Sequence, residues 1–262
     1  LVSTPLSLGG HILPLVFVAL LWFASTALVV WLDNRPRVSF ANSLTITGMA
    51  ALFGVGIIGA AATSSTLLAT YASFIASFAI WGWHELSFLT GTTTGPRREP
   101  CPDNARGWER FRLSAATVIH HELALVATLA LLLVLTWGNG NPTGAYAFAI
   151  LLGMRLSTKL NIFLGVPNFS TEILPPQLGY LKSYFRNRPF NALMPLSLAL
   201  GTGVTIWLAR TALATTGDAA VQWSLLTGLA LLGVVEHLFL VLPLRDSALW
   251  RWAMPAAPVK EL

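Results

Sequence analysis

Charge is what this sequence has least of. Only 10% of its 262 residues are Asp, Glu, Lys or Arg, where a soluble domain carries about 25%. That shortage excludes a water-solvated surface over most of the chain. Cysteine is almost missing: Cys101 stands alone, so no disulfide can close within the chain. There is no glycine-rich phosphate loop, no serine-nucleophile elbow and no eight-histidine hydroxylase pattern. No repeat recurs at a fixed period, no tract is of low complexity, and no stretch reads as a soluble domain. The N-terminus lacks a basic leader segment and its first apolar run is long enough to span, so no cleavable signal peptide is expected.

What fills the chain instead is apolar. Hydrophobic residues make up 55% of it and the mean hydropathy is +0.67. A span needs about 20 such residues. Seven segments qualify, at roughly 12–32, 44–62, 66–89, 113–137, 144–164, 190–210 and 219–243. The expectation is an all-α integral membrane protein, one polytopic domain over residues 1–262 with seven transmembrane helices. The second segment carries Gly48, Gly54, Gly56 and Gly59, which suits close helix packing.

The pI near 9.9 suggests nucleic acid at first sight, but the distribution of the bases points to topology, and no nucleic-acid partner is expected. Arg35 and Arg37, then Arg97, Arg98, Arg106, Arg110 and Arg112, then Lys182, Arg186 and Arg188, then Arg245, Arg251 and Lys260 all fall on one side of a seven-span chain. Arg210 alone falls on the other. The positive-inside rule therefore places the N-terminus outside and the C-terminus in the cytoplasm. Residues 175–188 set Leu178, Leu181 and Phe185 at helical spacing beside Lys182, Arg186 and Arg188, the pattern of a short interfacial helix on the lipid surface. Trp31, Trp137, Trp207, Trp250 and Trp252 lie near span ends, as an aromatic belt would.

Against this apolar background the ionisable residues inside spans stand out: His84 and Glu85, His120, His121 and Glu122, Arg155 and Lys159 with Asn161 beside them, and Glu236 with His237. Charges in hydrocarbon must be paired, neutralised or bound to a metal, and are functional candidates by default. With a rise of about 1.5 Å per residue, the three Glu–His groups and Lys159 fall at a shared depth near the cytoplasmic boundary. Three readings stay open. His84, Glu85, His120, His121, Glu122, Glu236 and His237 could hold iron, manganese or zinc, as carboxylates and imidazoles do in helical bundles. The adjacency of each Glu to its His departs from the Glu-x-x-His spacing of such sites, because neighbours diverge by about 100° round a helix. A structural polar network is the second reading, and an axial histidine to a chlorophyll-type magnesium or a haem iron is the third. Arg155, Lys159 and Asn161 could bind an anionic group of a substrate.

The same stretches carry a resemblance. WGWHELSFLTG (81–91), GPRREPCPDNARGWERF (95–111), HHELAL (120–125), MRLSTKLNIFLGVPNFSTEILP (154–175), LKSYFRNRPFN (181–191) and EHLFLVLPLRDSALWRW (236–252) resemble the PuhE-type photosynthetic complex assembly family of purple phototrophic bacteria. The resemblance implies a multi-pass protein of the bacterial inner, photosynthetic membrane that supports assembly of the reaction centre and its core antenna. Their subunits or a bacteriochlorophyll pigment are the implied partners. It carries over no catalytic residue. A membrane metalloenzyme acting on a tetrapyrrole, carotenoid or quinone, and a structural subunit of the photosynthetic complex, are the alternatives.

Overall fold

The computed structural model describes residues 6–168 and 174–243. After one π-type turn at Leu8–Ile12, the long helices are α1 (Leu13–Asp33), α2 (Phe40–Ala61) and α3 (Leu67–Leu89). A short α4 (Gly107–Ala115) precedes α5 (Ile119–Thr136) and α6 (Thr143–Leu164). A 3-10 segment, Pro176–Tyr184, leads to α7 (Leu193–Leu213) and α8 (Gly217–Phe239). Among the described residues the only β-type pairing is one isolated parallel bridge, Val166 with Asn187.

Successive long helices run in opposite directions, and side chains staple the loops at each end. At one end Gln177 Nε2 donates to the Leu89 carbonyl at 2.7 Å and to Asp33 Oδ1 at 3.3 Å, tying the ends of α1 and α3 to the 3-10 segment. There too the Asn168 amide donates to the Leu240 carbonyl at 3.1 Å. At the opposite end Asn141 Nδ2 donates to the carbonyls of Ala61 and Ser64 at 3.2 and 3.1 Å, and the His11 ring meets the Ala212 carbonyl at 3.3 Å.

Among the described residues six segments are long and apolar enough to cross a membrane: Leu8–Asp33, Arg37–Ala61, Ile119–Thr136, Thr143–Leu164, Leu193–Leu213 and Gly217–Phe239. The chain is therefore an all-α, multi-pass membrane protein. Its exterior agrees, because large apolar side chains such as Phe53 (73% exposed) and Leu52 (76% exposed) face outward, as lipid requires and water does not. The helix outside that set is α3. It has 23 residues, but Thr70, Ser73, Ser77, His84 and Glu85 among them are buried in protein. A helix in the middle of the bundle meets neighbours rather than lipid, so it tolerates polar groups that a lipid-facing helix does not. Two apolar clusters share it: Phe74 and Phe78 pack with Val18, Ala147, Leu225 and Leu229, while Ala76 and Ile80 pack with Ile58, Leu125, Leu132 and Phe148.

Two expectations change. The segment 113–137 is not one helix, because α4 ends at Ala115 and α5 starts only at Ile119. The residues between them turn under loop 90–97, as described below. Residues 175–188 form the expected short helix opened by prolines in 3-10 form and over only part of their length, and its apolar residues turn to protein rather than to lipid. Pro175 and Pro176 open a 3-10 segment, its Leu178 and Leu181 are buried against Phe88 at the end of α3, and residues 185–188 extend to pair with Val166. The basic tail residues Arg245, Arg251 and Lys260 lie outside the described residues.

Candidate functional site

The ends of α3, α6 and α8 and the start of α5 meet at the stapled end of the bundle. Adjacent residues on a helix diverge, and each Glu–His pair splits accordingly. On α3, Glu85 turns to α6, where its Oε2 accepts from Arg155 Nη2 at 2.9 Å. His84 turns to α5, where its Nε2 lies 3.0 Å from Thr128 Oγ1. On α5, Glu122 Oε1 accepts from Lys159 Nζ at 2.5 Å. His121 is fully buried and rests on the Phe88 ring, centroids 4.7 Å apart, with its Nε2 4.0 Å from Glu85 Oε1. Arg155 and Lys159, four residues apart, present one face of α6 to both carboxylates. The result is a knot of two acids, two bases and an imidazole. Glu85 Oε1, Glu122 Oε2 and both ring nitrogens of His121 have no hydrogen-bond partner among the described residues.

The other candidates separate from this knot. His120 is exposed. Asn161 lies two residues past Lys159, on another face, and its Nδ2 donates to Ser197 Oγ of α7 and to the Ser157 carbonyl, both at 2.9 Å. His237 donates from Nδ1 to the Gly233 carbonyl at 2.8 Å, so its Nε2 accepts from Ser157 Oγ, also at 2.8 Å. Glu236 instead turns to α1, where its Oε1 accepts from Trp22 Nε1 at 3.0 Å.

The shared depth survives at the helix ends. Glu85 precedes the end of α3 by four residues, Lys159 the end of α6 by five, and Glu236 the end of α8 by three, which is about 5–8 Å of helix. His121 and Glu122 are in the first turn of α5. Their position depends on Gly95. A Cβ there would stand 2.2 Å from the Ala116 carbonyl oxygen and 2.6 Å from the Thr117 carbonyl carbon. Only glycine lets loop 90–97 lie on the α4–α5 turn. The contact aims the Thr94 carbonyl at the His121 amide, 3.0 Å away, satisfying one of the donors a helix start leaves open.

Beside the knot lies a cavity of about 450 Å³ between α1, α3, α6 and α8. Its walls are mostly apolar, with Trp22, Trp81, Phe78 and Phe88 among them, and its polar groups include Glu85, Arg155, Lys159 and Glu236. No histidine lines it among the described residues. The cavity extends to Ser114, Thr117 and Tyr184 at the stapled end. There Arg110, 5% exposed, donates from Nη1 to the Phe163 carbonyl at 3.3 Å and from Nη2 to the Tyr184 carbonyl. Burial, and then Arg186 nearby, pull the Arg110 guanidinium down from its ordinary value. Arg97 is pushed up by its hydrogen bond to the Tyr184 hydroxyl.

Among the described residues no three His, Cys, Asp or Glu side chains are placed to hold a metal ion. The carboxylates turn to Arg155, Lys159 and Trp22, and His84 and His237 turn to hydroxyls. An axial histidine for a pigment in the cavity is likewise not offered by its walls. The partners that sequence reading missed are small or aromatic: Trp22, Thr128, Ser157 and Ser197. Ser157, four residues before Asn161 on α6, was within reach of helical spacing. Trp22 and Thr128 depend on tertiary packing and gave no signal.

Comparison with known proteins agrees with the sequence motifs in part. The chain is 39% identical over 240 residues to an uncharacterized 30.4 kDa protein of Rhodobacter capsulatus encoded in the 5′ region of puhA, covering 90% of this chain and 88% of that one. No solved structure matches it. The family described as "Protein of unknown function (DUF3623)" matches residues 9–261, and the chain belongs to that family.

Proposed function

We propose that this protein supports assembly of the photosynthetic reaction centre and core antenna, in the PuhE-type role its motifs suggest. We propose further that it works by holding a membrane-borne amphipathic molecule that is not an anion in the cavity beside Glu85, Arg155 and Glu236. In this reading α3 is a seventh span, the N-terminus is outside, the C-terminus is cytoplasmic, and the membrane is the photosynthetic inner membrane. The relative's place beside puhA supports the photosynthetic setting. The alternation of the loops between the two ends of the bundle supports the topology.

The observation that carries the ligand reading is the pairing of a large apolar cavity with a few convergent polar groups, the usual form of a small-molecule site. Charge decides the ligand class. Arg155 and Lys159 already face Glu85 and Glu122, and Glu236 has no cation within ion-pair distance among the described residues. An added anion would add to the buried negative charge, so the ligand is not an anion. The unpartnered Arg155 Nε marks the place for a carbonyl or ether oxygen. A purely structural subunit needs no such hollow. A metalloenzyme would have to strip Glu85 and Glu122 from their bases, so the geometry lends that reading less support.

The test fills the cavity without touching the ionic groups. Gly82 lines it, and a Cβ there meets only Val29 Cγ2, at 3.8 Å. Organic extracts of the wild-type protein and of Gly82→Leu, purified from photosynthetic membranes, are compared by liquid chromatography and mass spectrometry. One lipophile, near one per chain and lost in Gly82→Leu, is expected. Identical extracts from the two proteins would overturn the ligand reading.

A further inference from the structure

A second hollow, of about 230 Å³, opens at the stapled end of the bundle, outside the cavity. The start of α2, the loop after α3 and the 3-10 segment enclose it, and Arg37, Arg98, Thr94, Gln177 and Tyr180 are on its walls. No carboxylate lines it among the described residues. Among the described residues Arg37 and Arg98 form no ion pair, in contrast to Arg97, which meets Glu99 at 3.2 Å. Thr94 is 2% exposed, yet its hydroxyl has no partner among the described residues, and neither does the buried hydroxyl of Tyr180. Buried hydroxyls without partners are uncommon and call for an explanation. Two unpaired guanidinium groups on the same wall supply one.

We propose that this hollow binds a single phosphate group. Arg37 and Arg98 face its charge, and the hydroxyls of Thr94 and Tyr180 donate to its oxygens. Arginine's planar fork suits phosphate geometry, and four donor groups from three separate elements match a tetrahedral oxyanion better than a planar carboxylate. Asp33 and Leu89, the last residues of α1 and α3, meet beside Gln177, so the hollow sits where apolar helices end and lipid headgroups begin. The phosphate can come from an anionic lipid or from solution. Its binding reaches the buried knot through backbone, since the Thr94 carbonyl holds the His121 amide at 3.0 Å.

The full chain is released from phosphatidylglycerol-containing membranes and its retained lipids are counted by native mass spectrometry. In parallel, the protein in phosphatidylcholine nanodiscs is titrated with inorganic phosphate and followed by thermal unfolding. Variants are Arg37→Gln with Arg98→Gln, Thr94→Val, and Arg106→Gln as an exposed basic control. One phosphatidylglycerol per chain, bound roughly tenfold more weakly or worse in the double variant, more weakly in Thr94→Val and unchanged in Arg106→Gln, identifies a lipid phosphate. Saturable stabilisation by inorganic phosphate, lost in the same variants, with no retained lipid, identifies a soluble one. Equal behaviour of wild type and double variant in both arms, or equal loss in Arg106→Gln, overturns the site.

Discussion

Arg155 lies four residues deeper in α6 than Lys159, yet its Nη2 meets Glu85 at 2.9 Å, in the layer where Lys159 meets Glu122 at 2.5 Å. The long side chain reaches back toward the helix end, as arginines in membranes do. It lines the large cavity, and its Nε has no partner among the described residues. One residue thus closes an ion pair between α3 and α6 and lines the hollow.

Glu85→Gln and Arg155→Gln should each destabilise the protein in nanodiscs, by about 1.5–3 kcal/mol, the range for hydrogen bonds to charged groups. The double variant should lose clearly less than the sum, since removing both partners leaves no charge stranded. Thermal unfolding of the four proteins checks this. Strict additivity would show that the pair contributes nothing as a pair.

Gly95→Ala should loosen the α4–α5 turn without touching any ionisable group. Its Cβ cannot fit against Ala116 and Thr117, and overpacking of this kind costs about 1–3 kcal/mol. Hydrogen exchange at the His121 amide, held in the native protein by Thr94, reads the effect. Unchanged protection of that amide would refute the role given to Gly95.

Arg110 ties α4 to the end of α6 and to the 3-10 segment. Arg110→Ala should free the loop that carries Arg97, Arg98 and Arg106, giving faster tryptic cleavage in inside-out vesicles by roughly an order of magnitude, as local opening sets proteolysis. Cleavage at the wild-type rate would show that the tether is dispensable.

Cys101 is the chain's one cysteine and is partly exposed, so the native protein reports its own topology. A membrane-impermeant maleimide should label it in inside-out vesicles and leave it unlabelled in intact cells. The reverse pattern would invert the proposed orientation.

The fold was legible to the extent that physics acts locally. Runs of about 20 apolar residues marked every long helix, including α3, whose polar residues lower its hydropathy because it sits among neighbours. The break at residues 116–118 was not legible. No glycine or proline in LSAATVIHHE marks a turn, and the turn depends on loop 90–97 packing from a distance through Gly95. In the site, Glu85, His121, Glu122, Arg155 and Lys159 were found as ionisable residues within spans, and they do converge. What spacing could not settle was which member of each Glu–His pair turns inward, because that depends on the partner helix. It sent His120 outward and His237 to Ser157.

The account holds that the Arg155 layer and its cavity are where this protein works. The direct measurement is the near-infrared absorption of membranes from a photosynthetic host that carries Arg155→Gln in place of the wild-type chain, with the level of the variant protein checked by immunoblot. The account predicts normal amounts of the variant and a severalfold loss of the reaction-centre and core-antenna bands. Wild-type bands at normal protein level would contradict it.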